Sequence, residues 1–133
     1  MGNDSRLLLV EDQRELSGLL EKYLTRAGYA VDCCEQAAEA LRRFESKPDQ
    51  YPLVIADLTL PDMPGQRMVE RMLKLQPKLG VLLCSGYPFS VSALAGVDPR
   101  RAEFLLKPFS PQMLADAVAR ILKGAARGEQ AAT

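Results

Sequence analysis

Four short apolar runs each break, at the same end, into a residue able to do chemistry. Residues 7–10 (LLLV) lead to Glu11-Asp12, 53–56 (LVIA) to Asp57, 81–84 (VLLC) to Ser85, and 104–106 (FLL) to Lys107-Pro108. Runs of this length, rich in Leu, Val and Ile and without polar alternation, read as strands covered on both faces of a parallel sheet. Stretches of helical period stand between them, so the repeating unit is βαβ and the fold class is α/β. In an open parallel sheet the carboxyl ends of the strands lie along one edge, where ligands bind. The pattern therefore gathers three acids, a hydroxyl and a lysine at one place.

The intervening segments support that frame. Leu16, Leu19, Leu20, Tyr23, Leu24 and Ala27 recur at the spacing of one helix face, and Gly28 follows as a left-handed terminator. Residues 29–34 form the second strand, whose Asp32 gives it the polar alternation of an edge position. Ala37, Leu41 and Phe44 mark a second helix that ends before Pro48. The third strand runs into a loop, 57–65, with two prolines and a glycine. Met68, Val69, Met72 and Leu73 mark a third helix ending before Pro77. A short fourth helix is expected at about 90–97. Ser110-Pro111 opens the last helix with a cap and a proline, Leu114, Ala117, Val118, Ile121 and Leu122 form its apolar face, and Gly124 is expected to close it. Five strands and five helices predict a doubly wound sheet of order 2-1-3-4-5, one domain over 1–133 with its core at about 5–124 and a flexible tail at 125–133.

Composition excludes several classes. Seventeen basic and seventeen acidic residues cancel, so nothing favours nucleic acid or an anionic membrane as partner. No apolar run approaches the roughly 20 residues of a spanning helix, and Met1-Gly2-Asn3-Asp4-Ser5 lacks a signal pattern, so a cytoplasmic location is expected. There is no histidine, which removes imidazole bases, imidazole metal ligands and phosphohistidine from these 133 residues. Cys33, Cys34 and Cys84 have neither paired count nor metal spacing and read as ordinary thiols.

Three clustered carboxylates repel one another unless a cation or raised pKa values relieve them. An all-oxygen set suits a hard ion, Mg²⁺ or Mn²⁺. Lys107 supplies a point charge for a phosphoryl oxygen, and Ser85 a hydroxyl beside the open Gly86. A cis Lys107–Pro108 bond would fix the lysine's direction. These parts together suit phosphoryl transfer to Asp57. Blander roles compete: Asp12 as a helix cap, Asp62 as a turn residue, Phe104 as core packing, and Arg100-Arg101 as a solvated face.

Leu9-Val10-Glu11-Asp12, the stretch Ala56-Asp57-Leu58-Thr59-Leu60-Pro61-Asp62-Met63-Pro64-Gly65, Leu83-Cys84-Ser85-Gly86-Tyr87 and Leu105-Leu106-Lys107-Pro108-Phe109 resemble, in order and spacing, the receiver domain of two-component response regulators. The resemblance covers about residues 5–124. It implies a flavodoxin-like (βα)5 domain that takes phosphate from a phosphohistidine of a histidine kinase or phosphotransfer protein, with Mg²⁺ required. The resemblance further implies a signalling phospho-acceptor that acts only on its own phosphorylation state, rather than a turnover enzyme. By motif match Asp57 is the acceptor, Glu11, Asp12, Asp57 and the backbone carbonyl of Thr59 hold the metal, and Ser85 and Lys107 contact the phosphoryl group. Ser85 and Phe104 form the switch, with Phe104 where tyrosine is commoner. The Ser-Gly-Tyr turn and short fourth helix resemble receivers of hybrid histidine kinases. The downstream partner is not named by any motif, and no DNA-binding segment is expected within the chain. Three rivals remain. An aspartate-nucleophile phosphatase needs an acid two positions after Asp57, where Thr59 stands. A flavin module needs a phosphate loop where the acidic Glu11-Asp12-Gln13 stands. A degenerate docking receiver would lack motif residues that are present here.

Overall fold

The computed structural model describes residues 6–131, with side chains described for 6–124. Among these, five strands lie parallel: β1 (Arg6–Val10), β2 (Ala30–Cys34), β3 (Leu53–Asp57), β4 (Gly80–Ser85) and β5 (Ala102–Leu106). Their order is β2-β1-β3-β4-β5, as the sequence pattern predicts. Four α-helices cover the sheet: α1 (Arg14–Arg26), α2 (Ala37–Ser46), α3 (Gly65–Leu75) and α4 (Pro111–Ala131).

Each strand is pleated, so successive side chains enter different cores. Leu8, Val10, Val54, Ala56, Val81 and Leu83 meet Phe44, Met68 and Met72 beneath α2 and α3. Leu7, Leu9, Leu53, Ile55, Leu82 and Cys84 meet Leu20, Leu24, Leu114, Val118 and Ile121 beneath α1 and α4. Each fully buried Leu, Ile or Met contributes about 1.5–3 kcal/mol of transfer free energy, which is why β1, β3 and β4 sit at the centre. Asp32 lies on the edge strand β2, as expected. It accepts from Arg6 (2.6 Å) and from the Tyr51 hydroxyl (2.6 Å). Because β2 and β3 flank β1, the chain reverses its winding direction there and leaves a crevice beyond the ends of β1 and β3.

The capping signals hold at two helices. Gly28 takes a positive φ of 103° after α1, and Ser110 Oγ accepts from Met113 N at 3.1 Å at the start of α4. Asp12 is not a cap. Gln13 occupies that position of α1 without a side-chain bond. α4 passes Gly124 and runs to Ala131, through part of the segment expected to be a tail.

The fourth helix expected at 90–97 does not form. Two single 3-10 turns, Val91–Ala93 and Pro99–Arg101, replace it in the β4–β5 crossover. Pro88 and Pro99 bracket the segment, most of its residues are small, and Gly96 sits at φ 82°, outside the helical region. The segment is held instead by burial of Leu94 and by Glu70 of α3, whose carboxylate accepts from Ala95 N at 2.9 Å. Arg101 is also not solvated. It is buried, donates to the Lys78 carbonyl at 3.0 Å, and pairs with Asp98 at 3.4 Å. Among the described residues no helix is long and apolar enough to cross a membrane.

Candidate functional site

The crevice beyond β1 and β3 holds the acids. Glu11 directly follows β1, and its amide donates to the Cys34 carbonyl at 3.0 Å, which extends the β1–β2 ladder by one residue. Asp57 is the last residue of β3, paired in register with Cys84. Both acids are buried, 2% and 7% exposed, whereas Asp12 faces solvent. Carboxylate oxygens of Glu11, Asp12 and Asp57 all lie within 4.8 Å of one another. At that distance two unit charges repel by roughly 3 kcal/mol at an effective dielectric near 20.

One cation answers them. Lys107, after β5, donates from Nζ to Asp57 Oδ2 at 2.7 Å and to Glu11 Oε1 at 3.1 Å, although 96 positions separate it from Glu11. Its backbone amide donates to the Ser85 carbonyl at 2.8 Å, so β4 fixes the stem of the lysine. The Lys107–Pro108 bond is cis. Burial pulls the Lys107 ammonium down. The hydrogen bonds and charges of Asp57 and Glu11 outweigh that and hold it above its ordinary value. Burial pushes the Glu11 carboxyl up, and the bonds from Gln13 N and Lys107 only partly offset it. Three carboxylates against one ammonium leave an all-oxygen site with excess negative charge. That is the chemistry of a divalent-cation seat.

The loop after β3 is tightly closed. Asp57 Oδ1 accepts from Thr59 N at 2.9 Å, Leu58 N donates to the Cys84 carbonyl at 2.9 Å, and Gly65 N donates to the Leu58 carbonyl at 2.9 Å. Thr59 and Pro64 pair antiparallel across it. Ser85 ends β4 and is buried. Its hydroxyl accepts from Tyr87 N at 3.0 Å. Phe104 is the register partner of Leu83, so the pleat puts it on the same sheet face as Ser85. It is half-buried, with Phe89 of the crossover at a ring-centroid distance of 6.4 Å. Phe104 thus packs at the margin of the core rather than among the acids.

The pattern of the response regulator receiver domain family matches residues 7–119. The chain is a member of that family. It is 36% identical over 124 residues to the transcriptional regulatory protein TctD of Salmonella typhimurium, covering 93% of this chain and 54% of TctD. The chain thus spans about half the length of that relative. A CheY-like receiver domain structure from Methanospirillum hungatei superposes with a TM-score of 0.82 at 28% identity, covering 93% of this chain and 98% of that one. The response regulator TrrA of Thermotoga maritima, in complex with Mg²⁺-BeF, superposes with a TM-score of 0.76 at 28% identity, covering 88% and 98%.

Two residues of this receiver domain have roles that local sequence patterns did not reveal. A Cβ at Gly65 would lie 2.1 Å from the Asp57 carbonyl oxygen and 2.9 Å from Leu58 Cα, so only glycine lets α3 start against the end of β3. Asp62 is more than a turn residue. Its two oxygens accept from Ala37 N and Ala38 N, each at 2.9 Å, capping α2 from 25 positions away. The clue was indirect. The residue before α2 is Gln36, a poor cap, and its side chain makes no capping bond. The cysteines are as ordinary as expected. All three are free, and burial pushes the Cys34 and Cys84 thiols up to about 12.

Proposed function

We propose that Asp57 accepts a phosphoryl group from a phosphohistidine of a histidine kinase or phosphotransfer protein, in a reaction that requires Mg²⁺, and that the modified site alters a partner-binding surface through Ser85 and Phe104. The observation that carries this reading is the environment of the Asp57 carboxylate. It is buried at the end of β3, gripped by Thr59 N and Lys107 Nζ, and within 4.8 Å of two further acids. Glu11, Asp12, Asp57 and the Thr59 carbonyl are the groups that would hold the ion, and their oxygen-only chemistry fits it. The bound ion would supply positive charge against the acids and the phosphoryl oxygens. TrrA in its Mg²⁺-BeF complex lends support by likeness.

A carboxylate oxygen of Asp57 attacks phosphorus in line. The phosphorus–nitrogen bond breaks, its electron pair stays on the donor imidazole, and an acyl phosphate forms. Lys107 moves one of its two bonds from a carboxylate to a transferred oxygen, and Ser85 turns its hydroxyl from accepting Tyr87 N to donating to another. Phe104, on the same sheet face, follows Ser85 and changes its packing on Phe89. The chain has no histidine, so the donor lies outside these residues. Thr59 offers no general acid two positions after Asp57, which disfavours turnover of external phosphate esters.

The test is intact-protein mass spectrometry after incubation with a small acyl-phosphate donor and Mg²⁺. One phosphoryl group is expected on the wild type, and none on Asp57→Asn or with a chelator. Equal labelling of Asp57→Asn would refute the assignment.

A further inference from the structure

The two halves of the proposed cation seat sit on different loops. Glu11 and Asp12 follow β1, whereas Asp57 and the Thr59 carbonyl belong to β3 and the loop after it. Nothing covalent near the site joins them, and their charges push them apart. The base of the 57–65 loop is fixed by the Gly65 N to Leu58 O bond and the Thr59–Pro64 pairing, but those bonds are internal to the loop. They shape it; the Leu58 N to Cys84 carbonyl bond anchors its base on β4 and Lys107 bridges Asp57 to Glu11, but none of these bonds reaches the tip of the loop.

A further tie, toward α2 and the β1–β2 side, comes from the loop's tip. Both oxygens of Asp62 take amide protons from Ala37 and Ala38, the first residues of α2. α2 follows β2 after two residues, and the Cys34 carbonyl at the end of β2 accepts from Glu11 N. A short chain of bonds therefore runs from the acceptor loop through α2 and Cys34 to the acid pair. The helix needs this bond as well, since Gln36 leaves its first amides without a local side-chain partner.

We infer that Asp62 is a positioning residue for the cation seat: by capping α2 in trans it holds the loop carrying the Thr59 carbonyl at a fixed distance from Glu11 and Asp12. The inference rests on the Mg²⁺ reading of the site. Groups that orient a metal's ligands without touching the metal typically change affinity 10- to 100-fold when removed. Asp62 acts through the backbone of a whole loop, so the lower end, about tenfold, is expected.

The experiment separates positioning from mere helix capping. Mg²⁺ binding to the full chain is measured by isothermal titration calorimetry in the wild type, Asp62→Ala, and Asp62→Ala combined with Gln36→Ser. The added serine gives α2 a local cap from an extended backbone position that suits it, so it restores helix stability without restoring the tie to the loop. A weaker Kd by about tenfold in Asp62→Ala, still weak in the double variant whose Tm has recovered, supports the inference. Full recovery of Mg²⁺ affinity by Gln36→Ser would overturn it, because the helix alone would then carry the effect. Unchanged affinity in Asp62→Ala would overturn it too. If the wild type binds no Mg²⁺, the reading of the site fails separately. Amide hydrogen exchange at Thr59, whose N–H donates to Asp57, then decides the role of Asp62. Faster exchange in both variants supports positioning, and wild-type exchange overturns it.

Discussion

Asp57 and Glu11 share one lysine while Asp12, in the same cluster, has none among the described residues. Lys107 donates to the two buried acids at 2.7 and 3.1 Å. The exposed third acid adds repulsion without compensation, and solvent screens only part of it. In the absence of divalent ions, Asp12→Asn should therefore leave Tm unchanged or raise it, although most substitutions destabilise. The same change should sharply weaken Mg²⁺ binding. Thermal unfolding with and without chelator checks both halves, and a lowered Tm in chelator would show that Asp12 has a structural partner. The residues at the strand ends were legible in the sequence because a strand's last residue is fixed by where its apolar run stops. Asp62 and Gly65 were not, because their roles depend on groups brought near by folding: the amides of α2 for one, the Asp57 carbonyl for the other.

At the scale of elements, α3 and β3 meet without space for a side chain. Replacing Gly65 by Ala would favour the helix by about 1 kcal/mol on propensity. The new methyl, however, would lie 2.1 Å from the Asp57 carbonyl oxygen, a backbone atom that cannot swing away. Overpacking of this kind costs about 1–3 kcal/mol, so steric cost wins. Gly65→Ala should lower Tm by several degrees and slow phosphorylation of Asp57, both measurable on one preparation. An unchanged Tm would mean that α3 slides freely on β3. The cap on α2 has a pH signature. The amides of Ala38 and Ala37 hold the Asp62 carboxyl below its ordinary 3.8. A depressed folded-state pKa contributes stability above the unfolded value and loses it as pH falls through the folded one. The stability difference between wild type and Asp62→Asn should thus be full at pH 7 and shrink below about pH 4. Urea unfolding at the two pH values measures it, and a constant difference would sink the account. The helices with clear apolar spacing were all foreseeable. The β4–β5 crossover departs from the expected helix although Val91, Leu94 and Val97 stand at a near-helical spacing. Pro88, Gly96 and Pro99 forbid the continuation that would make such a face worth burying.

For the whole molecule, the sheet order decides which distant residues meet. The ends of β1, β3 and β5 contribute the acid pair, Asp57 and the lysine, and β4 between the last two contributes Ser85 and the carbonyl that fixes Lys107. The alternation of apolar runs with helical stretches narrowed the order to a few, because crossovers are right-handed, and the polar alternation at Asp32 favoured the one with the second strand at an edge. A seat assembled from separate strands does not exist in the unfolded chain, so an ion that binds it must stabilise the fold by mass action. At a free Mg²⁺ concentration of 100 times Kd the gain is about 2.7 kcal/mol, equivalent to a Tm rise of roughly 5–15 °C for a domain of this size. Below Kd the shift should vanish. Above it the gain should grow with the logarithm of concentration, which separates binding at one site from a general salt effect that would screen surface pairs instead. Asp57→Asn and Asp12→Asn should flatten the response, whereas Arg120→Gln on α4, which breaks a pair with Glu103 rather than a group of the crevice, should leave the Mg²⁺-dependent rise intact whatever it does to the starting Tm. A Tm that rises equally in Asp57→Asn and the wild type would place the ion elsewhere on the molecule.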